Sequence, residues 1–387
     1  MKTGTFGIIC EFNPFHNGHK RLLDEARARG AERIVCVMSG NAVQRGEIAV
    51  LDKYTRAKAA LLSGADLVLE LPYPWCAASA EFFAGAGIGI LSDFCDTVFF
   101  GSESGDTEII TSAAKLASSE GFKAEYQSRL GNGEGAASAY FSMLRERIGI
   151  DFSSNDILGV EYIKAAIQNG FELDFQTVKR EGDAYNEGEL GASAYPSATA
   201  IRKAWNSGKK ASQYIPEEAY KVFEEKISAG EMTETRELSK AMLLYFRLAD
   251  PERLSRYAEL DGGVANRIVS AARASKSEEE FFENLATKRY TDAKLRRAML
   301  FALTEVTREL LHTEPFYTTL LAANEKGREI LSSIRKTSKI KIITKPADTP
   351  KDNPQFVAEE KLEAVFTLAS KRSFNMADRY QRGVFIK

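Results

Sequence analysis

The chain has 387 residues, of which 44% are hydrophobic and 27% charged, an ordinary globular composition with length enough for two domains. Its opening stretch MKTGTFGIICEFNPF holds one lysine and only a brief apolar run, too short for a secretory leader or a membrane span, so a soluble, cytoplasmic protein without membrane attachment is expected. The formal net charge of -2 hides an asymmetry: residues 325–387 carry 14 Lys/Arg against 8 Asp/Glu, so the final stretch is basic and the rest acidic.

Along the first hundred residues the elements alternate. TFGIIC (5–10) reads as a short β-rich strand, and GHKRLLDEARARG as a helix with a stripe at Leu22, Leu23 and Ala26 that stops at Gly30. RIVCVM (33–38), DLVLEL (66–71) and DTVFFG (96–101) read as further strands, separated by helices in DKYTRAKAALLSG (52–64) and ASAEFFAGAGIGIL. Near-continuous apolar strands between helices predict α/β architecture: a Rossmann-like parallel sheet covered on both faces, with right-handed crossovers. Ligands of such sheets bind beyond the carboxyl ends of the strands. The polar stretches EFNPFHNGH, SGNAVQRGE and GSESGD, which follow the first, second and fourth strands, should therefore meet at one cleft.

Next come a helix in NDILGVEYIKAAIQNG (155–170), a strand in LDFQTVKR (173–180), a loop, and a helix in SATAIRKAWNSG whose N-cap is Ser197. Beyond about residue 210 helix follows helix, with Leu238, Met242, Tyr245 and Ala249 at amphipathic spacing, and the chain closes with a small strand-like stretch IKIITKP (340–346) and a less regular tail. The expected division is an α/β domain over 1–208 and a mainly helical domain over 209–387. The four cysteines (Cys10, Cys36, Cys76, Cys95) lie in the first quarter with no C-x-x-C spacing, so buried thiols are expected rather than disulfides or a metal site.

Two of the three histidines, His16 and His19, sit in EFNPFHNGHK (11–20). A turn opening a helix presents free N–H groups and a partial positive charge to an anion. Gly18 removes a side chain that would hold a phosphate off, the flanking histidines can donate to the same phosphoryl oxygens, and Asn13 and Pro14 fix the turn. Partial or full positive charge on the pair would stabilise attack on the α-phosphorus of a nucleotide as pyrophosphate leaves. Taken alone, two histidines three apart read more simply as a helix cap, and a metal site lacks a third ligand nearby.

The context says more. A strand, NPFHNGH, a helix, and a later SATAIR at another helix start resemble the HxGH nucleotidylyltransferase superfamily: His16, Gly18 and His19 match the first motif, and Ser197, Thr199 and Arg202 the second. Hydroxyls and helix-start amides suit phosphate oxygens, and the planar fork of Arg202 suits the β- and γ-phosphates. GIICEFNPFHNGHK, VMSGNAVQRGE, DKYTRAKAALLSGADLVLELP, FGSE, SSNDILGVEYIKA, VKR, SATAIR, TKRYTDAKLRRAML and NEKGREIL occur in the order and spacing of the bacterial tRNA(Met) cytidine acetate ligases, which the chain resembles over essentially its whole length. It departs from their pattern in SSND, where a proline is usual after the serine, in the lack of a histidine often seen after the tyrosine of KREGDAYNEGE, and in Lys20.

That resemblance implies activation of acetate with ATP to acetyl-adenylate and transfer of the acetyl group to N4 of the wobble cytidine of elongator tRNA(Met). It places the ATP site on Ile9, Cys10, Glu11, Phe12, Asn13, Pro14, Phe15, His16, Asn17, Gly18, His19, Lys20, Arg21 and Leu22, and on Gly101, Asn155 and Arg180, with Ser197, Thr199 and Arg202 opposite. His16 and His19 are the expected catalytic pair. Magnesium is expected to shield the triphosphate without a dedicated carboxylate cage. The tRNA would need several cations for its phosphates, and TKRYTDAKLRR (287–297), with Lys288, Arg289, Lys294, Arg296 and Arg297, is the candidate together with the basic tail; Tyr290 is a candidate base-stacking ring.

Other residues admit two readings. Arg45 suits a phosphate or RNA contact as well as a loop salt bridge, and Lys53 and Arg56, one turn apart, could supply cleft charge. Asp66 and Glu70 are expected to pair with cations, Ser102 and Glu103 follow the strand that ends at Gly101, and His312 lies outside every motif. Competing functions at this stage are an acetate-activating or nucleotidyl-transferring enzyme with a non-RNA acceptor, and an RNA-binding protein that keeps a nucleotide only as ligand.

Overall fold

The computed structural model describes residues 4–131, 135–180, 190, 195–287, 289–334, 337–372 and 383–387. Among these residues ten strands are formed: β1 (Thr5–Cys10), β2 (Arg33–Ser39), β3 (Ala42–Val43), β4 (Glu47–Ile48), β5 (Leu67–Leu71), β6 (Thr97–Ser102), β7 (Asp174–Lys179), β8 (Tyr317–Ala323), β9 (Lys341–Ile343) and β10 (Phe385–Ile386). The helices of the first half are α1 (Asn17–Ala28), α2 (Lys53–Leu62), α3 (Ala80–Leu91), α4 (Thr107–Ser118), α5 (Glu120–Gly131), α6 (Ala136–Ile148), α7 (Ser154–Asn169) and α8 (Ala198–Asn206). Those of the second are α9 (Glu217–Ser228), α10 (Ser239–Leu248), α11 (Pro251–Leu254), α12 (Val264–Ala274), α13 (Glu278–Leu285), α14 (Asp292–Thr304), α15 (Arg308–Leu311), α16 (Glu325–Ile334) and α17 (Pro354–Ala369).

Eight strands share one sheet, in the order β10-β8-β5-β2-β1-β6-β7 with β9 also on β8. β1, β2, β5, β6 and β7 pair in parallel, as their unbroken apolar runs require, because both faces must be covered. Ile9, Val35, Val37, Leu67 and Leu69 face α3, α4 and α7; Ile8, Cys10, Ile34, Cys36 and Val68 face α1, α2, α8 and α9. The chain winds outward from β1 through β2 to β5 on one side and through β6 to β7 on the other, so a switch point opens between β1 and β6.

The segment after residue 208 is mostly helical, yet it returns to the sheet. β8 joins β5 in antiparallel register, with Leu67 opposite Ala323, and β10 and β9 extend that edge. YTTLLAA is a seven-residue apolar run whose partner lies some 250 residues upstream, so no local periodicity announces the pairing. α17, with buried Phe356, Leu362 and Phe366, likewise stands where the tail read as irregular. All four cysteines are buried thiols, and among the described residues no helix is long and apolar enough to cross a membrane.

Lys53 and Arg56 do not supply cleft charge. Lys53 is bound at 2.6 Å to Glu70, and Arg56 is fully buried. Its Nε donates to the carbonyl of Leu51 at 2.9 Å, Nη1 to that of Glu11 at 2.6 Å, and Nη2 to those of Ser39 and Gly40. One guanidinium thus ties the end of β1, the end of β2 and the entry to α2, at the rim where the polar loops leave the sheet; burial pulls its pKa down to about 10. Asp66 pairs with Arg27 at 2.5 Å, as its flanking position suggested. Replacing Arg56 by methionine strands several buried carbonyls, and unfolding free energy from urea titration should fall by about 3–5 kcal/mol; a loss under about 1 kcal/mol would contradict this role.

Candidate active site

The three polar loops converge at the switch point on one cleft of about 2680 Å³. Small-molecule pockets typically hold about 300–1,000 Å³, so a nucleotide would leave space for a second, larger substrate. Ile9, Cys10, Glu11, Phe12, His16, Gly18, His19, Arg21 and Leu22 line it from the first motif, Val43, Gln44, Arg45 and Glu47 from the second loop, Gly101 and Glu103 from the third, and Ser197, Thr199 and Arg202 from the start of α8.

His16 is the N-cap of α1. Its Nδ1 accepts from the amide of Gly18 at 3.0 Å, while its own amide donates to Nδ1 of His19 at 3.3 Å, closing a reciprocal capping box. A Cβ on residue 18 would lie 2.9 Å from His16 Cε1, so glycine is needed for the cap itself as well as for the approach of an anion. Both rings accept through Nδ1, which leaves the proton of each neutral imidazole on Nε2. The rings stack with centroids 3.8 Å apart, and His19 is also packed against Phe12 and Phe15 at 4.9 and 5.7 Å.

This enclosure favours the partial over the full positive charge. Burial, and then the cation of Arg180, lower the pKa of His16 to about 3; burial, His16 and Arg180 hold His19 well below the usual histidine range. At neutral pH the pair is therefore two hydrogen-bond donors without net charge, and positive charge comes from the arginines and lysines that line the cleft. Arg180 reaches the cleft from the end of β7, its Cγ only 3.2 Å from where a Cβ on Gly101 would stand.

The other first-motif residues divide by role. Asn13 is buried and structural: its Oδ1 accepts from the amide of Val50 at 2.8 Å, and its carbonyl accepts from Arg202 Nη1 at 2.7 Å. Pro14 and Phe15 are buried behind the turn, Asn17 donates to the carbonyl of Gln213 at 3.0 Å, and Lys20 pairs with Asp24 on the outer face of α1; none of these lines the cleft. Arg21 does, stacked 5.6 Å over the ring of Tyr195, which joins the two motifs. Ser197 caps α8 as expected, accepting from Ala200 at 3.2 Å.

At the third loop Glu103 receives the amide and side-chain nitrogen of Asn155 at 3.2 and 2.6 Å, so Asn155 is oriented at the start of α7. His312 packs edge-on against Phe82 at 4.9 Å. Glu47, which sequence reasoning passed over, proves central: Oε2 accepts from Arg202 Nη2 at 3.2 Å and Oε1 from Arg296 Nη1 at 2.7 Å. Its signal was a lone carboxylate after the turn glycine of QRGE.

The basic cluster of α14 splits. Arg297 pairs with Glu259 at 2.7 Å and is nearly buried, and Arg296 turns into the cleft. Neither is a freely exposed cation. Arg289 and Lys294 flank the ring of Tyr290 at 5.3 and 5.8 Å, at the cleft mouth. Lys288 lies outside the described residues. Arg45 stands exposed at the hairpin tip.

Fold, helix-start geometry and paired motifs define a nucleotidyl-transferring enzyme, and residues 1–381 match the HIGH Nucleotidyl Transferase family, to which the chain belongs. The tRNA(Met) cytidine acetate ligase of Acetivibrio thermocellus is 36% identical over 366 residues, covering 88% of each chain, and that of Caldanaerobacter subterraneus is 33% identical over 384 residues, covering 94% of this chain and 95% of its own. The structure of Thermotoga maritima TmcAL bound with alpha-thio ATP is 30% identical and superposes over both whole chains with a TM-score of 0.88. Within its superfamily the chain thus belongs with the tRNA(Met) cytidine acetate ligases.

The histidine burial has a pH consequence. An unfolded chain protonates His16 near pH 6.5, whereas the folded one does so only near pH 3. Stability associated with the neutral ring is present above pH 6.5 and lost as pH falls toward 3, by about 2 kcal/mol at pH 5. His16→Asn keeps a cap acceptor and should flatten the decline between pH 6.5 and 5 by that amount in denaturant titrations. An unchanged slope would show that His16 titrates normally.

Proposed function

We propose that this protein activates acetate with ATP and transfers the acetyl group to N4 of the wobble cytidine of elongator tRNA(Met). The observation that carries this reading is the pair of neutral imidazoles fixed at the start of α1, facing Ser197, Thr199 and Arg202 across one cleft. In the first step a carboxylate oxygen of acetate attacks the α-phosphorus, the bond to the β-phosphate breaks, and pyrophosphate leaves. His16 and His19 donate to non-bridging α-phosphate oxygens as charge builds there, while Arg202 receives the departing pyrophosphate. Neutral donors suit this task, since they stabilise the transition state without a proton being given up.

In the second step the exocyclic amine attacks the acyl carbon, the carbon–oxygen bond to AMP breaks, and the amine loses a proton. Magnesium would travel with the triphosphate, held by phosphate oxygens and water; among the described residues no cluster of three carboxylate, histidine or cysteine ligands forms a site for it, and no step is routed through it. The helical segment 209–387 is the proposed RNA-holding part, with Arg289 and Lys294 for phosphates and Tyr290, its hydroxyl tied to the carbonyl of Gly262, for a splayed base. ATP and tRNA as substrates assign the reaction to the cytoplasm.

The test is acetylation of transcribed elongator tRNA(Met) with ATP and labelled acetate. His19→Ala should lose about 10²–10³-fold in rate. Arg289→Gln combined with Lys294→Gln should weaken RNA binding and lower the slope of log affinity against log salt by about 2. No label on the RNA with the unaltered protein would refute the assignment of the acceptor.

A further inference from the structure

We propose that Arg296 is a second pyrophosphate-binding group of the ATP site, supplied by the helical segment, rather than a contact to RNA. The inference rests on the adenylating reading above and adds a residue to it. Arg202 and Arg296 hold opposite oxygens of Glu47 at 3.2 and 2.7 Å, so one carboxylate bridges the two guanidinium groups. They lie 189 and 249 residues from Asn13 and Glu47 respectively, their partners in the α/β part, and both line the cleft that contains His16 and His19.

Backbone contacts set this arrangement. Gly46 has φ +73°, and a Cβ there would lie 2.5 Å from the amide nitrogen of Arg297 and 2.8 Å from the carbonyl carbon of Arg296, so the β3–β4 hairpin seats directly on the first turns of α14. The same hairpin is tied to the first motif, because the amide of Gln44 donates to Glu11 Oε1 at 3.0 Å. α14 therefore holds a fixed position relative to the histidines, and Arg296 enters the site on a rigid element.

The charge balance favours an anion there. Glu47 and the neighbouring carboxylate of Glu11 face Arg45, Arg202 and Arg296, so three cations stand against two carboxylates and one positive charge is left over. The side chain of Arg296 is 42% exposed and that of Arg202 21%, so both are partly open to the cleft they line. Planar forks of this kind bind phosphate through paired N–H groups. When the α–β phosphate bond breaks, the new charge on the leaving pyrophosphate would fall between them. Arg297 also borders the cleft, but its side chain is only 11% exposed and is paired with Glu259 at 2.7 Å, so its charge is already matched.

The experiment compares the unaltered full-length protein with Arg296→Gln and Arg296→Lys. Equilibrium binding is measured for ATP, inorganic pyrophosphate, AMP and elongator tRNA(Met), together with acetate-dependent ATP–pyrophosphate exchange. Arg296→Gln should lose about tenfold in affinity for ATP and pyrophosphate while AMP and RNA affinities stay within about twofold, and Arg296→Lys should recover part of the loss. Unchanged ATP and pyrophosphate binding, with weakened RNA binding, would overturn the proposal. So would an equal loss for ATP and AMP, which marks a purely structural residue. Absence of exchange in the unaltered protein would count against adenylation, while the comparison of ATP with AMP would still decide the role of Arg296.

Discussion

Two imidazole rings held by the backbone of the helix they begin are the constraint on which the rest of this structure depends. His16 and His19 both use Nδ1 as an acceptor, one from the amide of Gly18 and the other from the amide of His16. The rings stack on each other, His19 also packs against Phe12 and Phe15, and the desolvation that results keeps both uncharged. A pair of cations at that spacing would repel, whereas a pair of neutral donors can converge on one phosphoryl group. The division of labour we propose follows: imidazoles shape the hydrogen-bond environment of the α-phosphate, and the cations around them supply charge.

Much of the surrounding architecture serves to place those arginines and loops. Arg56 collects the carbonyls at the ends of β1 and β2, fixing where the polar loops depart. Arg202 is tied by Asn13 to the first motif and by Glu47 to the hairpin, and the hairpin is seated on α14 through Gly46. The later half of the chain closes the far edge of the sheet with β8 and carries α14 into the cleft. ATP chemistry and the helical segment thus share a wall.

The legible parts were those whose cause is local. Apolar runs separated by helical stripes gave β1, β2, β5, β6 and β7 to within a residue or two, and the Ser197 cap could be read from SATAIR because capping is decided within three residues. What could not be read were properties set by distant partners. Nothing in the neighbourhood of Arg56 says that its partner carbonyl at Glu11 lies 45 positions upstream, and Arg296 and Arg297 look like solvated charges until Glu47 and Glu259 are brought beside them. Whether the histidines carry partial or full positive charge is likewise set at a distance from the motif's spacing, by the packing that desolvates them, which for His19 includes Phe12 and Phe15. β8 escaped notice because its pairing is antiparallel to a strand in the other half of the chain.

The central claim is that acetate is joined to the α-phosphate in this cleft before it reaches RNA. The most direct measurement is to run the complete reaction with acetate carrying ¹⁸O at both carboxylate oxygens and to analyse the phosphorus products by mass spectrometry. An acetyl-adenylate leaves a carboxylate oxygen on the α-phosphate when the amine displaces AMP, so the account predicts one labelled oxygen in each AMP released and none in pyrophosphate. Label recovered in inorganic phosphate, or AMP free of label while the RNA becomes acetylated, would contradict it.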